Sequence, residues 1–400
     1  MDVSRIRADF PTVRNGSSVY LDNACQSLKP DQVIRKMVEY YEEYPSCGGR
    51  SVHSMATRVS TEVDETREKM ARFFGSDDPR CFVFTKNATE GLNTVALGLD
   101  LRPGDTVLTS DAEHNSNHVQ WFKVQERGIK RRFFRTSERG EFDIEAYKEA
   151  VTRDVKAVSV TQTSNVTGVT YPIKEMAEIA HDAGAVISVD GAQAAPHMHV
   201  NVTDLDADFY SASMHKMLAP TGVGMLYGKE EALKNLRPLM YGGGTVGLTT
   251  YDTVKTSPAP EKFEAGLLNY SGIIGTSAAL DYLSRIGMKE VEAHEISLQR
   301  IVQKAIDDMP EVSIVGPEDP ASRGGIFSFN VKGLSSHDVA VMMDSIGSVM
   351  VRSGMHCAHP FFESRDLGGS VRASFYIYND RGDMERFLET LRKIIRAFSK

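Results

Sequence analysis

The sequence predicts an α/β protein: a mainly parallel sheet covered by helices on both faces, followed by a smaller α+β unit. Three observations predict it. From about residue 75 to 228, short β-rich runs alternate with helical patterns. Around 240–262 the alternation breaks into YGGGTVGLTTYDTVKTSPAPEK, rich in Gly, Thr and Pro. And 400 residues are too many for one ordinary core.

The elements follow in order. A first helix is expected over 30–44, with Val33, Met37, Val38 and Tyr41 on one face and Pro30 at its start. A second carries Val59, Val63, Met70 and Phe74 and stops at Gly75. Strands are expected over 81–85, 106–110, 156–161, 185–190, 208–213 and 223–228, with helices near 90–99, 115–127, 143–151 and 173–183 between them. Past the break come helices over 269–286 and 290–308, strands near 312–315, 325–331, 348–352 and 371–375, and a last helix over 383–398. There is no internal repeat and no low-complexity tract.

Composition narrows the function. Hydrophobic residues make up 41% and charged residues 25%, which excludes a mostly disordered chain. The net charge of −8 argues against nucleic acid or an anionic membrane surface as main partner. No apolar run is long enough to span a bilayer, and MDVSRIRADF carries charges where a signal peptide is apolar. A cytoplasmic protein is expected. Cys25, Cys47, Cys81 and Cys357 are scattered without a Cys-x-x-Cys, so a disulfide framework is not expected.

In large α/β sheets ligands sit at the carboxyl ends of strands, so candidate chemistry is sought there. In FYSASMHKMLAPTGVGMLYG, Lys216 is the one normally charged side chain besides a protonatable His215. An isolated lysine is usually a surface charge, but these flanks are small or apolar. A lysine in such surroundings has a depressed pKa and can form a Schiff base as the neutral amine. Asp190 ends the run AVISVD; alone it reads equally as a helix cap or salt bridge. Together, a strand-end acid and a lysine past the next strand fit pyridoxal phosphate chemistry, in which a protonated ring is the electron sink. Ala88 and Thr89 open a helix after a strand and, with Ser213 and His215, can meet a phosphate. His114 lies past another strand end, where it could stack on a planar cofactor or move a proton. In Arg352-Ser-Gly-Met-His356-Cys357-Ala-His359, a thiol stands between imidazoles with an arginine near, which favours thiolate. No second ligand pair at zinc-like spacing appears, so no metal is expected. Arg372 suits a substrate carboxylate. The Gly242, Gly244, Gly247 spacing satisfies G-x-G-x-x-G but lacks the strand–turn–helix context of a dinucleotide site, so a nicotinamide oxidoreductase is set aside.

These motifs together, from YLDNACQSLKP through NATEGLN, EHNSN, SNVTG, SVDGAQ, SMHK, PTGVG and FEAG to RSGMHCAHP and VRASFYIYN, resemble the class V (fold-type I) pyridoxal-phosphate enzymes. Within them the likeness is to the SUF-type cysteine desulfurases and selenocysteine lyases. The resemblance implies a seven-stranded, mostly parallel sheet in a cofactor-binding domain over 21–261, and a small domain over 1–20 and 262–400 carrying the Cys357 loop. It implies pyridoxal 5′-phosphate on Lys216, Asp190 at the ring nitrogen, His114 stacked on the ring, Gln193 at its phenolic oxygen, and Ala88, Thr89, Ser213 and His215 at the phosphate. Asn165, Arg352 and Arg372 would bind the substrate, L-cysteine or L-selenocysteine, and Cys357 would take sulfur as a persulfide. Alanine, a homodimer and a SUF-type sulfur acceptor serving iron–sulfur cluster assembly are implied as well. The alternatives in the same fold are a selenocysteine lyase, a C–S lyase or a class V aminotransferase. A non-catalytic relative is disfavoured because Lys216, Asp190, His114 and Cys357 are all present.

Four departures from the family pattern stand out. Leu267 and Leu268 follow FEAG where Thr-Pro is common, removing a hydrogen bond worth about 1.5–3 kcal/mol in cofactor retention. Met355 stands where a His usually precedes His356. Cys25-Gln26 replaces a common Ala-Thr, and Cys47-Gly48-Gly49 replaces an Asn-x-His before Arg50.

Overall fold

The computed structural model describes residues 1–49 and 51–398; Arg50, the end of one departure, lies outside the described residues. Seven strands form the large sheet: β1 (Phe82–Thr85), β2 (Thr106–Ser110), β3 (Lys130–Phe134), β4 (Val155–Thr161), β5 (Val186–Asp190), β6 (Phe209–Ser213) and β7 (Gly224–Gly228). Their order is β1–β7–β6–β5–β4–β2–β3, with β7 antiparallel to both neighbours and every other pair parallel. Strand alternation splits each strand between two cores. Val158 and Val160 of β4 and Tyr210 and Ala212 of β6 face helices Ile173–Asp182 and Tyr270–Ile286, whereas Ala157 packs with Trp121 and Val124 on the opposite face. Both faces are covered, which is why these strands read as apolar runs.

Strand β3 was not among the expected strands. Its sequence KRRFF is charged, and it closes the sheet as an edge strand, where cationic side chains guard unpaired backbone groups. The expected helix over 115–127 is a 3₁₀ turn, Asn115–Asn117, followed by Gln120–Gln125. The helix Ser336–Gly347, capped by Ser335, was also not expected.

The second sheet holds β8 (Val312–Ile314), β9 (Ile326–Val331), β10 (Arg352–Gly354) and β11 (Ser370–Ser374), in the antiparallel order β8–β9–β11–β10. Phe327, Phe329, Val371 and Ala373 pack there against Leu298, Val302, Met343, Phe387 and Leu391 of the covering helices. The N-terminal segment joins this sheet: Val19–Tyr20 pairs with Val349–Met350, and Asp22 bridges to Ser374. That pairing carries residues 22–27 to the carboxyl ends of β5 and β6, where Ala24 accepts from Gln193 and Ser27 meets His215. The glycine run at 242–247 leads into an antiparallel hairpin, Val246–Thr249 with Val254–Thr256, and not into a helix, so the dinucleotide reading fails on geometry as well.

Candidate active site

Register places the chemistry. Asp190 ends β5, level with Thr161 of β4 and Ser211 of β6. Two residues beyond Ser211, β6 ends, and one 3₁₀ turn, Met214–Lys216, turns the chain back. Met214, Met217, Leu218 and Ala219 are buried around that turn. Among the described residues, the Lys216 amine makes no hydrogen bond. Burial drives its pKa down to about 8; Asp190 opposes the shift and Arg372 adds to it. Asp190 is buried, its carboxylate accepting the Ala192 amide at 3.0 Å; burial raises its pKa while that amide and Lys216 pull it down.

His114 takes the Ser116 amide on Nδ1 at 3.0 Å, which leaves Nε2 to carry the proton of a neutral ring. Burial, then Lys216 and the two arginines, lower its pKa to about 3. His215 is likewise held neutral, its pKa lowered to about 4 by burial and by Lys216 and Lys29. Gln193 donates through Nε2 to the Ala24 carbonyl at 2.7 Å, and its Oε1 is buried without a partner.

An anion cradle lies across the sheet. Asn87 caps helix Ala88–Gly98, the Ala88 amide reaches the Ser213 hydroxyl at 2.8 Å, and the Thr89 and Ser116 hydroxyls meet at 2.7 Å. The approach depends on Gly224, which pairs with both Thr85 and Ser213: a β-carbon there would lie 2.4 Å from the Asn87 Cα. Amides at a helix start beside small hydroxyls suit a phosphate.

Two arginines face this pocket from β10 and β11, where Arg352 and Arg372 are register partners. Arg372 is 3% exposed, donates to the Asn165 carbonyl at 2.9 Å and pairs with Asp22 at 3.4 Å, and its Nε has no partner. Arg352 pairs with Asp22 at 3.5 Å and donates to the Cys25 sulfur at 2.9 Å.

The thiol sits on a contrasting element. Cys357 is exposed, and both it and His356 hold left-handed backbone, φ 56° and 48°, at a cost of about 1 kcal/mol or more each. Neighbours over-determine that shape. The Asn115 amide donates to the Cys357 carbonyl at 2.6 Å, the Asn165 amide group to the His356 carbonyl at 2.7 Å, and His356 Nε2 meets Ser370 at 2.8 Å. Met355, the departure from the usual histidine, packs against an apolar cluster that includes Ala358 and Phe362. Among the described residues no group of three His, Cys, Asp or Glu side chains could hold a metal.

The residues singled out in sequence therefore gather in two groups. Lys216, Asp190, His114, Gln193, Ser213, His215, Ala88 and Thr89 line one end of the large sheet, Arg352, Arg372 and Cys357 approach from the smaller sheet, and Asn165, just past β4, meets both Arg372 and the His356 carbonyl. Sequence reading missed Asp22, which joins the two arginines, and Lys29, which donates to the His215 carbonyl at 3.0 Å and whose pKa burial lowers to about 7. It also missed Glu113, fully buried beside Ser110 and Asn117, with a pKa raised by burial to about 7. Asp22 ends the short apolar run VYLD, which was the one available signal; Lys29 and Glu113 lie in polar stretches that single out neither.

A buried acid near a half-buried, unpartnered amine, beside an anion cradle, defines a pyridoxal-phosphate site, and the family comparisons agree. The aminotransferase class-V model matches residues 19–387, so the chain belongs to that family, which uses pyridoxal 5′-phosphate. Curated relatives that match over nearly the whole chain at 34–38% identity are named cysteine desulfurases or probable cysteine desulfurases. One from Synechocystis, named a probable cysteine desulfurase, is 38% identical over 98% of this chain and 96% of its own length. A cysteine desulfurase from Haloferax volcanii is 37% identical over the same shares. Among solved structures, the apo cysteine desulfurase of Thermococcus onnurineus NA1 superposes with a TM-score of 0.95 at 37% identity, covering 99% of this chain and 98% of that one. The site's own residues fit the cofactor: an amine for its aldehyde, an acid for its ring nitrogen, a neutral ring to stack, a cradle for its phosphate, and the orphaned Gln193 Oε1 facing no protein group.

Proposed function

We propose that this chain is a cysteine desulfurase that takes sulfur from L-cysteine onto Cys357 and releases L-alanine. The observation that carries the reading is the contact chain that joins the small sheet, the large sheet and the thiol loop: Arg372 donates to the Asn165 carbonyl, and Asn165 donates to the His356 carbonyl beside Cys357. Lys216, Asp190, His114 and Gln193 hold the body of the cofactor, and Ala88, Thr89, Ser213 and His215 hold its phosphate. When bound, pyridoxal phosphate supplies the electron sink that makes the substrate α-carbon acidic. Arg372 and Asn165 grip the substrate carboxylate, with Arg352 beside them. The Lys216 amine, already neutral in a large fraction of molecules near pH 8, takes the α-proton. The Cys357 thiolate attacks the substrate sulfur; the carbon–sulfur bond breaks, the persulfide stays on Cys357, and the carbon skeleton leaves as alanine.

The exposed position of Cys357 supports delivery of that sulfur to a SUF-type acceptor protein, and from there to iron–sulfur clusters. A homodimer is supported by the groove that Leu267 shares with Cys47, Gly243 and Tyr270, next to a hairpin exposing Leu248, Tyr251 and Val254. We further infer that residues 21–261 form the cofactor-binding unit and residues 1–20 with 262–400 the unit bearing the thiol. A cytoplasmic setting suits an enzyme with free thiols; no helix among the described residues is long and apolar enough to cross a membrane. The test is incubation of holoenzyme with L-cysteine and a reductant. Equal amounts of alanine and sulfide are expected; pyruvate and ammonia would show a C–S lyase instead.

A further inference from the structure

We propose that Cys25 is a second sulfur-carrying thiol of this site, receiving the sulfane sulfur from the Cys357 persulfide. The proposal rests on the reading that Cys357 takes sulfur from L-cysteine. Cys25 is free and half-buried, in the segment that Gln193 anchors through the Ala24 carbonyl at 2.7 Å. Its sulfur accepts from Arg352 Nη1 at 2.9 Å. Arg352 opens β10, and β10 runs through Gly354 straight into the loop that carries Cys357. A closed set of contacts ties the two thiols further. Asp22, three residues before Cys25, pairs with both arginines, Arg372 holds the Asn165 carbonyl, and Asn165 holds the His356 carbonyl.

Burial works against the Arg352 charge, yet Cys25, Asp22 and Cys357 together hold its pKa above the ordinary value, and of the two thiols Cys25 is the one it touches. Cys25 also acts electrostatically on Lys216 and Arg372. Two buried polar atoms there lack partners, Arg372 Nε and Gln193 Oε1, on residues 3% exposed each. Orphaned groups of that kind mark a pocket prepared for a polar guest.

The step balances without an outside oxidant or reductant. The Cys25 thiolate attacks the outer sulfur of the Cys357 persulfide, the old sulfur–sulfur bond breaks, and a new one forms on Cys25. Cys357 leaves as a thiolate and takes up the proton Cys25 gave away. The strained, solvent-facing loop is thereby reset while the sulfur waits on a sheltered thiol.

The test is one turnover of the holoenzyme with L-cysteine and no reductant, then alkylation, digestion and mass spectrometry of the two cysteine peptides. The expected result is one extra sulfur on the Cys357 peptide first and on the Cys25 peptide later. Cys25 should carry none in C357S, and in C25S the sulfur should stay on Cys357. Extra sulfur on Cys357 alone in the wild type overturns the relay, as does a Cys25–Cys357 disulfide with sulfide set free. Absence of both alanine and any persulfide would instead sink the desulfurase reading, so the two failures are told apart.

Discussion

The pocket around Lys216 and the loop around Cys357 are built on opposite terms. The amine sits on a tight turn fixed by strand register, near a buried acid, with Met214, Met217, Leu218 and Ala219 buried around it. The thiol sits on consecutive left-handed residues, exposed, held mainly by hydrogen bonds from other elements to its backbone. On the mechanism we propose, one half keeps a proton-transferring amine in a single place. The other would present sulfur to an acceptor and withdraw it, and a loop whose strain is balanced by a few bonds is suited to moving.

Substitutions should separate the halves. Lys216→Ala should lower alanine formation by about 1,000-fold or more and abolish covalent attachment of the cofactor, read from absorbance and product assay. Cys357→Ser should cut sulfur transfer comparably while leaving the cofactor absorbance intact, because the two sites share no strand. Arg372→Lys, which would remove the proposed bidentate grip on the substrate carboxylate, should raise KM for L-cysteine about 10- to 100-fold with a smaller change in kcat.

Much of the large sheet was legible because buried parallel strands have an apolar signature that charged edge strand β3 lacks. The lysine and the acid were legible for the same reason: a charge in an apolar run is conspicuous. The loop was legible only as a list of reactive residues. That Asp22 joins Arg352 to Arg372, or that Cys25 touches Arg352, depends on segments more than 300 residues apart meeting at the seam of two sheets. Local pattern carries no trace of such contacts.

Two smaller effects sharpen the contrast. Free lysine deprotonates near 10.5, whereas Lys216 does so near 8, so uptake of pyridoxal phosphate by the apoprotein should rise with pH to a midpoint near 8. The sign follows from burial disfavouring the charged amine: raising the pH through 8 increases the neutral, reactive form. Asn165→Ala removes one bond to the His356 carbonyl, worth about 1 kcal/mol, so amide exchange over 355–358 should quicken about fivefold. Exchange on the 214–217 turn should not change.

The central claim is that the Lys216 amine, kept reactive by its buried pocket, is the covalent anchor of the vitamin B6 cofactor. Borohydride reduction of the holoenzyme followed by peptide mapping tests it most directly. The account predicts a single pyridoxyl group, on Lys216; a protein that stays colourless with added cofactor, or a label on another lysine, would contradict it.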